Sequence, residues 1–85
     1  MLERGCVVVS SAGRDKDLPM AVLDTNDASG RALVADGRKR RLEAAKWKNV
    51  RHLRETGLAV CEASMATNRE LRRALAELAG RIDIT

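Results

Sequence analysis

Aromatic residues are nearly absent from this sequence: it has no Phe and no Tyr, and Trp47 is its only Trp. Thirteen of its apolar residues are alanine, so the large core-forming side chains are mainly ten Leu and seven Val. A chain of 85 residues with this composition predicts one small domain with a thin core. An enzyme pocket of about 300 Å³ or more is not expected, and neither is a small-molecule substrate.

Cysteines and long apolar runs are scarce as well. Cys6 and Cys61 are too few for a disulfide framework and lack metal-ligand spacing, so we expect reduced thiols; a single bridge between them would need an oxidising compartment. Every apolar run is much shorter than the roughly 20 residues that span a bilayer. The first residues also lack the apolar stretch of a signal peptide. These absences predict a cytoplasmic protein with no metal, no cofactor and no membrane partner.

Catalytic motifs are missing too. The sequence contains no HExxH, no CxxC and no P-loop, and His52 is its single histidine. A lone histidine on an alternating strand is more often a hydrogen-bonded structural residue than a catalytic base. Solvation explains the carboxylates in loop-like segments, which are Asp15, Asp17, Asp24 and Asp27. We therefore expect that the protein is not an enzyme.

Positive charge, by contrast, is abundant and concentrated. Residues 38–54 contain eight Lys or Arg and one acid, Glu43, which gives this segment a charge of +7, whereas the whole chain carries +4. Such clustering indicates a polyanionic partner, most simply nucleic acid, although a solvated face is the alternative. The candidate phosphate contacts in the segment are Arg38, Lys39, Arg40, Arg41, Lys46, Lys48 and Arg51. Trp47, between two lysines, is interpreted either as a base-stacking residue or as a residue that plugs the open end of the barrel, and packing is the favoured interpretation.

Short β-branched runs separated by turn residues predict four or five strands. An Asp36-Gly37 dipeptide predicts a type I′ hairpin, because both central positions of that turn need positive φ. The predicted strands cover residues 6–11, 19–24, 31–35, 39–43 and 50–53. So many short strands without an intervening helix predict a small antiparallel barrel, since closure removes exposed edges.

The sequence beyond Gly57 changes character and predicts a helix. Thr67 followed by Glu70 matches a capping box, and Gly80 is placed to end the helix. Leu71, Leu75 and Leu78 form one helical stripe that must pack on the barrel or on a partner protein. The predicted organisation is a barrel over 1–56 and a linker with a C-terminal amphipathic helix over 57–85.

A loop with two cations follows the first strand. It reads Gly13-Arg14-Asp15-Lys16, and on composition alone it is either a loop that displays charge to a ligand or an ordinary connector. Together with Gly5 and the Val-rich strand before it, this loop resembles a KOW motif. The segments 34–37, 40–43 and 50–53 extend the resemblance to small bacterial KOW-domain RNA-binding proteins, which are related to large-subunit ribosomal proteins of archaea and eukaryotes. The resemblance covers about residues 2–54.

The resemblance implies an SH3-like barrel that associates with RNA or the ribosome and has no catalytic residues. On this sequence the KOW loop would be carried by Gly13, Arg14 and Lys16. The second cationic surface would be carried by Arg40, Arg41, Lys46, Lys48, Arg51 and His52. The sequence departs from the family pattern at three places. Asp17 replaces the usual glycine after the lysine, and Lys39 replaces a residue that is usually apolar. Ala44-Ala45 and Trp47 replace a stretch that is usually more cationic or contains proline.

The leading hypothesis is a non-enzymatic RNA-binding module that docks electrostatically on structured RNA, with ribosomal RNA or the ribosome as the implied partner. The alternative is a KOW module that contacts a transcription or translation factor, with Leu71, Leu75 and Leu78 as its docking face. Binding of DNA by the same basic surface is a third reading.

Overall fold

Runs of mainly valine, leucine and alanine form the first three strands of this protein, whose computed structural model describes residues 2–13 and 15–82. Five strands precede one α-helix: β1 Cys6–Ser10, β2 Pro19–Asn26, β3 Arg31–Ala35, β4 Lys46–Asn49, β5 Leu53–Ala59 and α1 Asn68–Ala79. Three short 3-10 helices lie between them: Leu42–Ala44, Val50–His52 and Glu62–Met65. The predicted fold class, mainly β with five antiparallel strands and a single C-terminal helix, is confirmed.

The five strands form one antiparallel sheet in the order β4-β3-β2-β1-β5. The sheet is open, with β4 and β5 as its two edges, and no ladder joins these edges in the described part of the chain. The 3-10 helix Val50–His52 carries the chain from one edge to the other. Its Val50 N–H donates to the Gly30 carbonyl at 2.9 Å, and its His52 carbonyl accepts from the Ser11 N–H at 2.8 Å.

Both faces of the sheet are buried, which explains why β1 is a continuous valine run and not an alternating one. Val8 packs on one face in a cluster formed by Met20, Val22, Ala32 and Val34. Val7 and Val9 pack on the other face, where the partners come from the C-terminal part of the chain. Those partners are Met65, Leu71, Leu75 and Ile82.

Helix α1 covers this second face. It begins after Thr67, whose hydroxyl accepts from the Glu70 N–H at 3.1 Å, as the capping box predicts. Leu71 and Leu75 are buried, and Leu78 is half-buried against the same cluster. The leucine stripe is therefore occupied by the chain's own sheet. None of the helices in residues 2–13 and 15–82 combines the length and the apolar character needed to cross a membrane.

The strand predicted at 39–43 is wrong. Residues 36–41 form a loop, 42–44 a 3-10 helix, and the fourth strand is β4, further along the chain. The cause is the buried Asp36 carboxylate, which accepts from the backbone N–H groups of Arg38 at 3.0 Å and Arg40 at 2.7 Å. An Asp side chain that bonds nearby backbone N–H groups gives the chain an alternative to a strand ladder. We call residues 36–41 the basic loop.

Gly37 explains why the Asp-Gly dipeptide is present although it does not form a type I′ hairpin. Gly37 has a φ of 80°, whereas Asp36 does not have a positive φ. A Cβ atom on Gly37 would overlap the carbonyl oxygen of Asn68 and lie 3.0 Å from the amide nitrogen of Arg72. The glycine therefore allows the basic loop to lie directly against the first turns of α1.

The last strand is longer and later than predicted. Residues 50–52 form the 3-10 helix, and β5 runs from Leu53 through Gly57 to Ala59. The boundary drawn at residue 57 falls inside this strand. Its pairing with β1 shifts register between Cys6 and Val8, where the Thr56 hydroxyl donates to the Val7 carbonyl at 2.8 Å. This β-bulge places a glycine within a strand, and a strand glycine resembles a boundary when it is read from sequence alone.

Candidate nucleic-acid interface

A buried carboxylate, Asp15, collects two of the predicted phosphate-binding cations. Its Oδ2 accepts from Arg40 Nη2 at 2.9 Å and lies 3.2 Å from Lys48 Nζ. The Asp15 side chain is 6% exposed, and those of Arg40 and Lys48 are 25% and 12% exposed. The loop after β1, the basic loop and strand β4 thus meet at one ion network, which we call the Asp15 network.

The Asp15 network is held together by opposing electrostatic effects. Burial by itself raises the pKa of the Asp15 carboxyl, but the hydrogen bonds and charges of Arg40 and Lys48 outweigh burial, so the pKa is lowered. Asp15 is therefore ionised at neutral pH, and the three groups together carry +1. Arg40 Nε is buried and has no hydrogen-bond partner among the described residues. Arg40 and Lys48 therefore face an internal carboxylate before they face any ligand.

An open hollow of about 240 Å³ lies along β4, an edge strand of the sheet. It brings together residues from the end of β1, the following loop, β4 and the second 3-10 helix. Its lining residues are Ser10, Ala12, Gly13, Lys46, Trp47, Lys48, Asn49 and His52. Four of the predicted site residues therefore share this β4 hollow, and none of its lining residues is acidic.

Trp47 is the only large apolar side chain exposed among residues 2–13 and 15–82, at 40%. Its Cα partner on β3 is Leu33, whereas Lys46 and Lys48 are paired with Val34 and Ala32. Because successive strand residues point to opposite faces, the indole and the two lysine side chains leave β4 on opposite sides. The indole is thus not a plug in the buried core, and part of its surface is free to stack.

The other predicted cations are separate from the β4 hollow. Lys16, Lys39, Arg41 and Arg51 are exposed, and none of them lines it. The backbone N–H of Lys16 donates to the Gly13 carbonyl at 3.2 Å, which fixes the position of Lys16 in the loop. Arg14 lies outside the described residues.

Sequence reasoning missed a second basic region, where the basic loop meets α1. An open hollow of about 570 Å³ is lined there by Ala76 and by what we call the arginine cluster: Arg38, Arg69, Arg72 and Arg73. Within the described residues, no carboxylate oxygen lies within 4.0 Å of a guanidinium nitrogen of these arginines. Of the four, only Arg38 belonged to the predicted site. The i, i+3 and i+4 spacing of the helical arginines could have identified them, because it places them on one helix face.

The basic loop connects the Asp15 network to the arginine cluster. Gly37 contacts the start of α1, Arg38 lines the arginine cluster, and Arg40 reaches Asp15. Neighbouring residues of one loop therefore present their side chains to two different surroundings. The positions of both regions depend on the same six residues of backbone.

The thiols and acids of the described segments form no metal site. Cys6 and Cys61 are free thiols. Residues 2–13 and 15–82 contain no group of three or more His, Cys, Asp or Glu side chains arranged to hold a metal ion. Comparison with protein-family models and with curated proteins gave no match to this chain.

Proposed function

We propose that this protein is a non-enzymatic RNA-binding module and that the β4 hollow is its principal contact. The observation that carries the proposal is the exposed Trp47 on an edge strand between two lysines, beside a hollow without acidic lining residues. A lone exposed indole flanked by cations offers the two contacts that unpaired nucleotides accept: a stacking face and positive charge. Ribosomal RNA is the partner that the KOW resemblance implies.

In this arrangement the RNA strand lies along β4. Lys46, which is exposed, neutralises a phosphate on one side of the strand, while a base stacks on Trp47 on the other side. Lys48 is largely occupied by Asp15, so its part is to keep the hollow positive and in place. Few groups are available to read base edges, and recognition therefore depends on shape and on unpaired bases more than on sequence.

The conformation of Asp17 supports the KOW resemblance on which the choice of RNA depends. Asp17 replaces the glycine that the family has after the lysine, and its φ of 66° is the only positive φ of a non-glycine residue in the described segments. Backbone in this region favours glycine, and Asp is among the few other residues that tolerate it. The loop thus keeps the backbone shape that a glycine would adopt, although the side chain differs.

The test measures binding of a fluorescein-labelled RNA hairpin, with a single-stranded loop, by fluorescence anisotropy at several salt concentrations. If about five phosphates are contacted, log K against log salt has a slope of about −3.5 for single strands. Trp47→Ala should weaken binding about tenfold, because stacking of one base is worth about 1–3 kcal/mol. Lys46→Gln should reduce the slope by about 0.7. Arg81→Gln is the matched control, since Arg81 is exposed and lines neither basic region.

Two results would overturn the proposal: a binding isotherm that does not change with salt, or equal RNA affinities for Trp47→Ala and Arg81→Gln. Competition with DNA of the same sequence separates RNA recognition from general binding of polyanions, because only RNA offers the 2′-hydroxyl. A protein partner docked on the leucine stripe is not favoured, since Leu71 and Leu75 are buried under the helix.

A further inference from the structure

We propose that the arginine cluster is a second phosphate-binding surface, and that it holds the backbone of the same RNA that contacts the β4 hollow. This inference rests on the proposed function and extends it to the C-terminal helix. The cluster is defined by its lining: four arginines, one alanine and no acid around an open hollow of about 570 Å³. A guanidinium presents a planar fork of N–H donors that matches the oxygens of a phosphate.

The placement of these arginines on α1 is unfavourable unless an anion binds them. Arg69 precedes Arg72 by three residues and Arg73 by four, and like charges at these spacings repel on a helix surface. Arg69 also lies in the first turn of a twelve-residue helix, where the macrodipole disfavours cations. A bound phosphate reverses both effects, because it supplies the missing negative charge at the positive end of the helix.

The acidic residues of α1 do not relieve the repulsion between Arg69 and Arg72. Glu70 and Glu77 share one flank of the helix with Arg73, which follows Glu70 by three residues and precedes Glu77 by four, whereas Arg69, Arg72 and Ala76 share another flank. No ion pair joins either glutamate to an arginine of the cluster in the described part of the chain. The small side chain of Ala76 leaves room between the guanidinium groups. The flank of α1 that carries Arg69 and Arg72 thus contains no acid, and these arginines share a hollow with Arg38 of the basic loop.

Phosphate fits this surface better than an acidic protein does. Protein interfaces are organised around buried apolar or aromatic anchors, with charged residues at the rim. The exposed large apolar side chain of the described residues is Trp47, which lies on β4 and not in the cluster. A nucleic-acid backbone needs no such anchor, because repeated phosphates provide its affinity.

The basic loop links the two surfaces. Arg38 belongs to the cluster, and Arg40, two residues later, belongs to the ion network that includes Lys48 of the β4 hollow. The described molecule measures 30 × 29 × 23 Å along its principal axes. A-form RNA rises less per base pair than B-form DNA, which rises about 3.4 Å, so an RNA stem needs more than about nine base pairs to extend along the longest dimension.

The test compares Arg69→Gln/Arg72→Gln with Arg31→Gln/Arg81→Gln, a control that removes two exposed arginines outside the cluster. Both are titrated with a labelled hairpin RNA whose stem has about 16 base pairs, the length that a double-stranded-RNA-binding domain spans. The cluster variant should reduce the salt slope by about 0.7–0.9 for each lost phosphate contact, and about twice that in total. Its affinity at physiological salt should fall about tenfold relative to the control. Circular dichroism of both variants verifies that α1 is intact.

The outcomes separate this inference from the proposed function. If wild-type protein does not bind the RNA, both are overturned. If it binds, and Trp47→Ala weakens binding while the cluster variant matches its control, the β4 hollow stands and the second surface is rejected; the cluster would then be left to an acidic protein partner. A smaller slope together with weaker binding, in the cluster variant alone, supports the second surface.

Discussion

Two groups of cations lie on either side of the basic loop, and they differ in what faces them. Arg40 and Lys48 share the buried carboxylate of Asp15, whereas the arginine cluster has no carboxylate within ion-pair distance in the described residues. The first group stabilises the meeting point of three chain segments. The arginines of the second group repel one another and are available to an external anion. The comparison teaches that a run of basic residues does not indicate which of its members are free to bind.

The largest expected effect concerns the loop that joins the two groups. Gly37→Ala should lower the free energy of unfolding by about 3 kcal/mol or more, because its Cβ would press on the backbone of Asn68 and force α1 away. Gly30→Ala is the matched control: Gly30 also has a positive φ, of 67°, but nothing lies within 4 Å of its added Cβ. That control should cost about 1 kcal/mol. Equal losses in urea denaturation would show that Gly37 does not seat the helix.

The next effect isolates the Asp15 network. Asp15→Asn should destabilise the protein by about 2–3 kcal/mol, since it leaves two largely buried cations without a counter-charge. Arg72→Gln, in the other group, should change stability by no more than about 0.5 kcal/mol. Urea denaturation at neutral pH measures both. A loss for Asp15→Asn as small as that for Arg72→Gln would remove the distinction between the two groups.

Acid should reveal the same distinction more gradually. The pKa of Asp15 is lower in the folded protein than in the unfolded chain, where it is about 3.9. Its stabilising contribution is therefore fully present above about pH 4–5 and is lost as the pH falls through the lower, folded-state value. Thermal unfolding between about pH 5 and pH 2 should show a steeper loss for wild type than for Asp15→Asn. Parallel profiles would mean that the ion pairs contribute nothing to stability.

The smallest effect has the opposite sign. Arg69→Gln/Arg72→Gln should raise the free energy of unfolding by about 0.5 kcal/mol, because it relieves repulsion near the start of α1. The control pair Arg31→Gln/Arg81→Gln should give no increase, since a cation after the C-terminal end of the helix is favourable. A stabilised protein that has lost RNA affinity is the combination expected of a binding surface. Destabilisation would indicate that these arginines have a packing role.

The sequence predicts this fold where its signals are local. The bounds of β3 and the Thr67 cap of α1 agree with expectation, because valine-rich runs and capping residues act on their own neighbours. The fourth strand was misplaced because the Asp36 side chain and the contact between Gly37 and Asn68 shape the basic loop. The contact between Gly37 and Asn68 joins residues 31 positions apart, and no local sequence pattern predicts it.

The candidate site follows the same division. The concentration of positive charge could be predicted from the sequence. Four residues of the predicted site line one hollow: Gly13, Lys46, Lys48 and His52. The ion pair between Arg40 and Asp15 could not be predicted from the sequence, because it depends on how three distant segments converge. A charge count treats every cation as equally available, although a cation that is buried beside a carboxylate is already paired. The helical arginines were within reach of sequence reasoning, through their spacing alone.

The position of Trp47 has a practical consequence for spectroscopy. As the single aromatic residue of a chain without Tyr or Phe, it is the sole source of intrinsic near-ultraviolet fluorescence. Because its indole is 40% exposed on an edge strand, its emission reports the immediate surroundings of β4 more than the packing of the interior. Quenching by a ligand can thus be recorded on the unlabelled protein, because the signal comes from one chromophore at a known location.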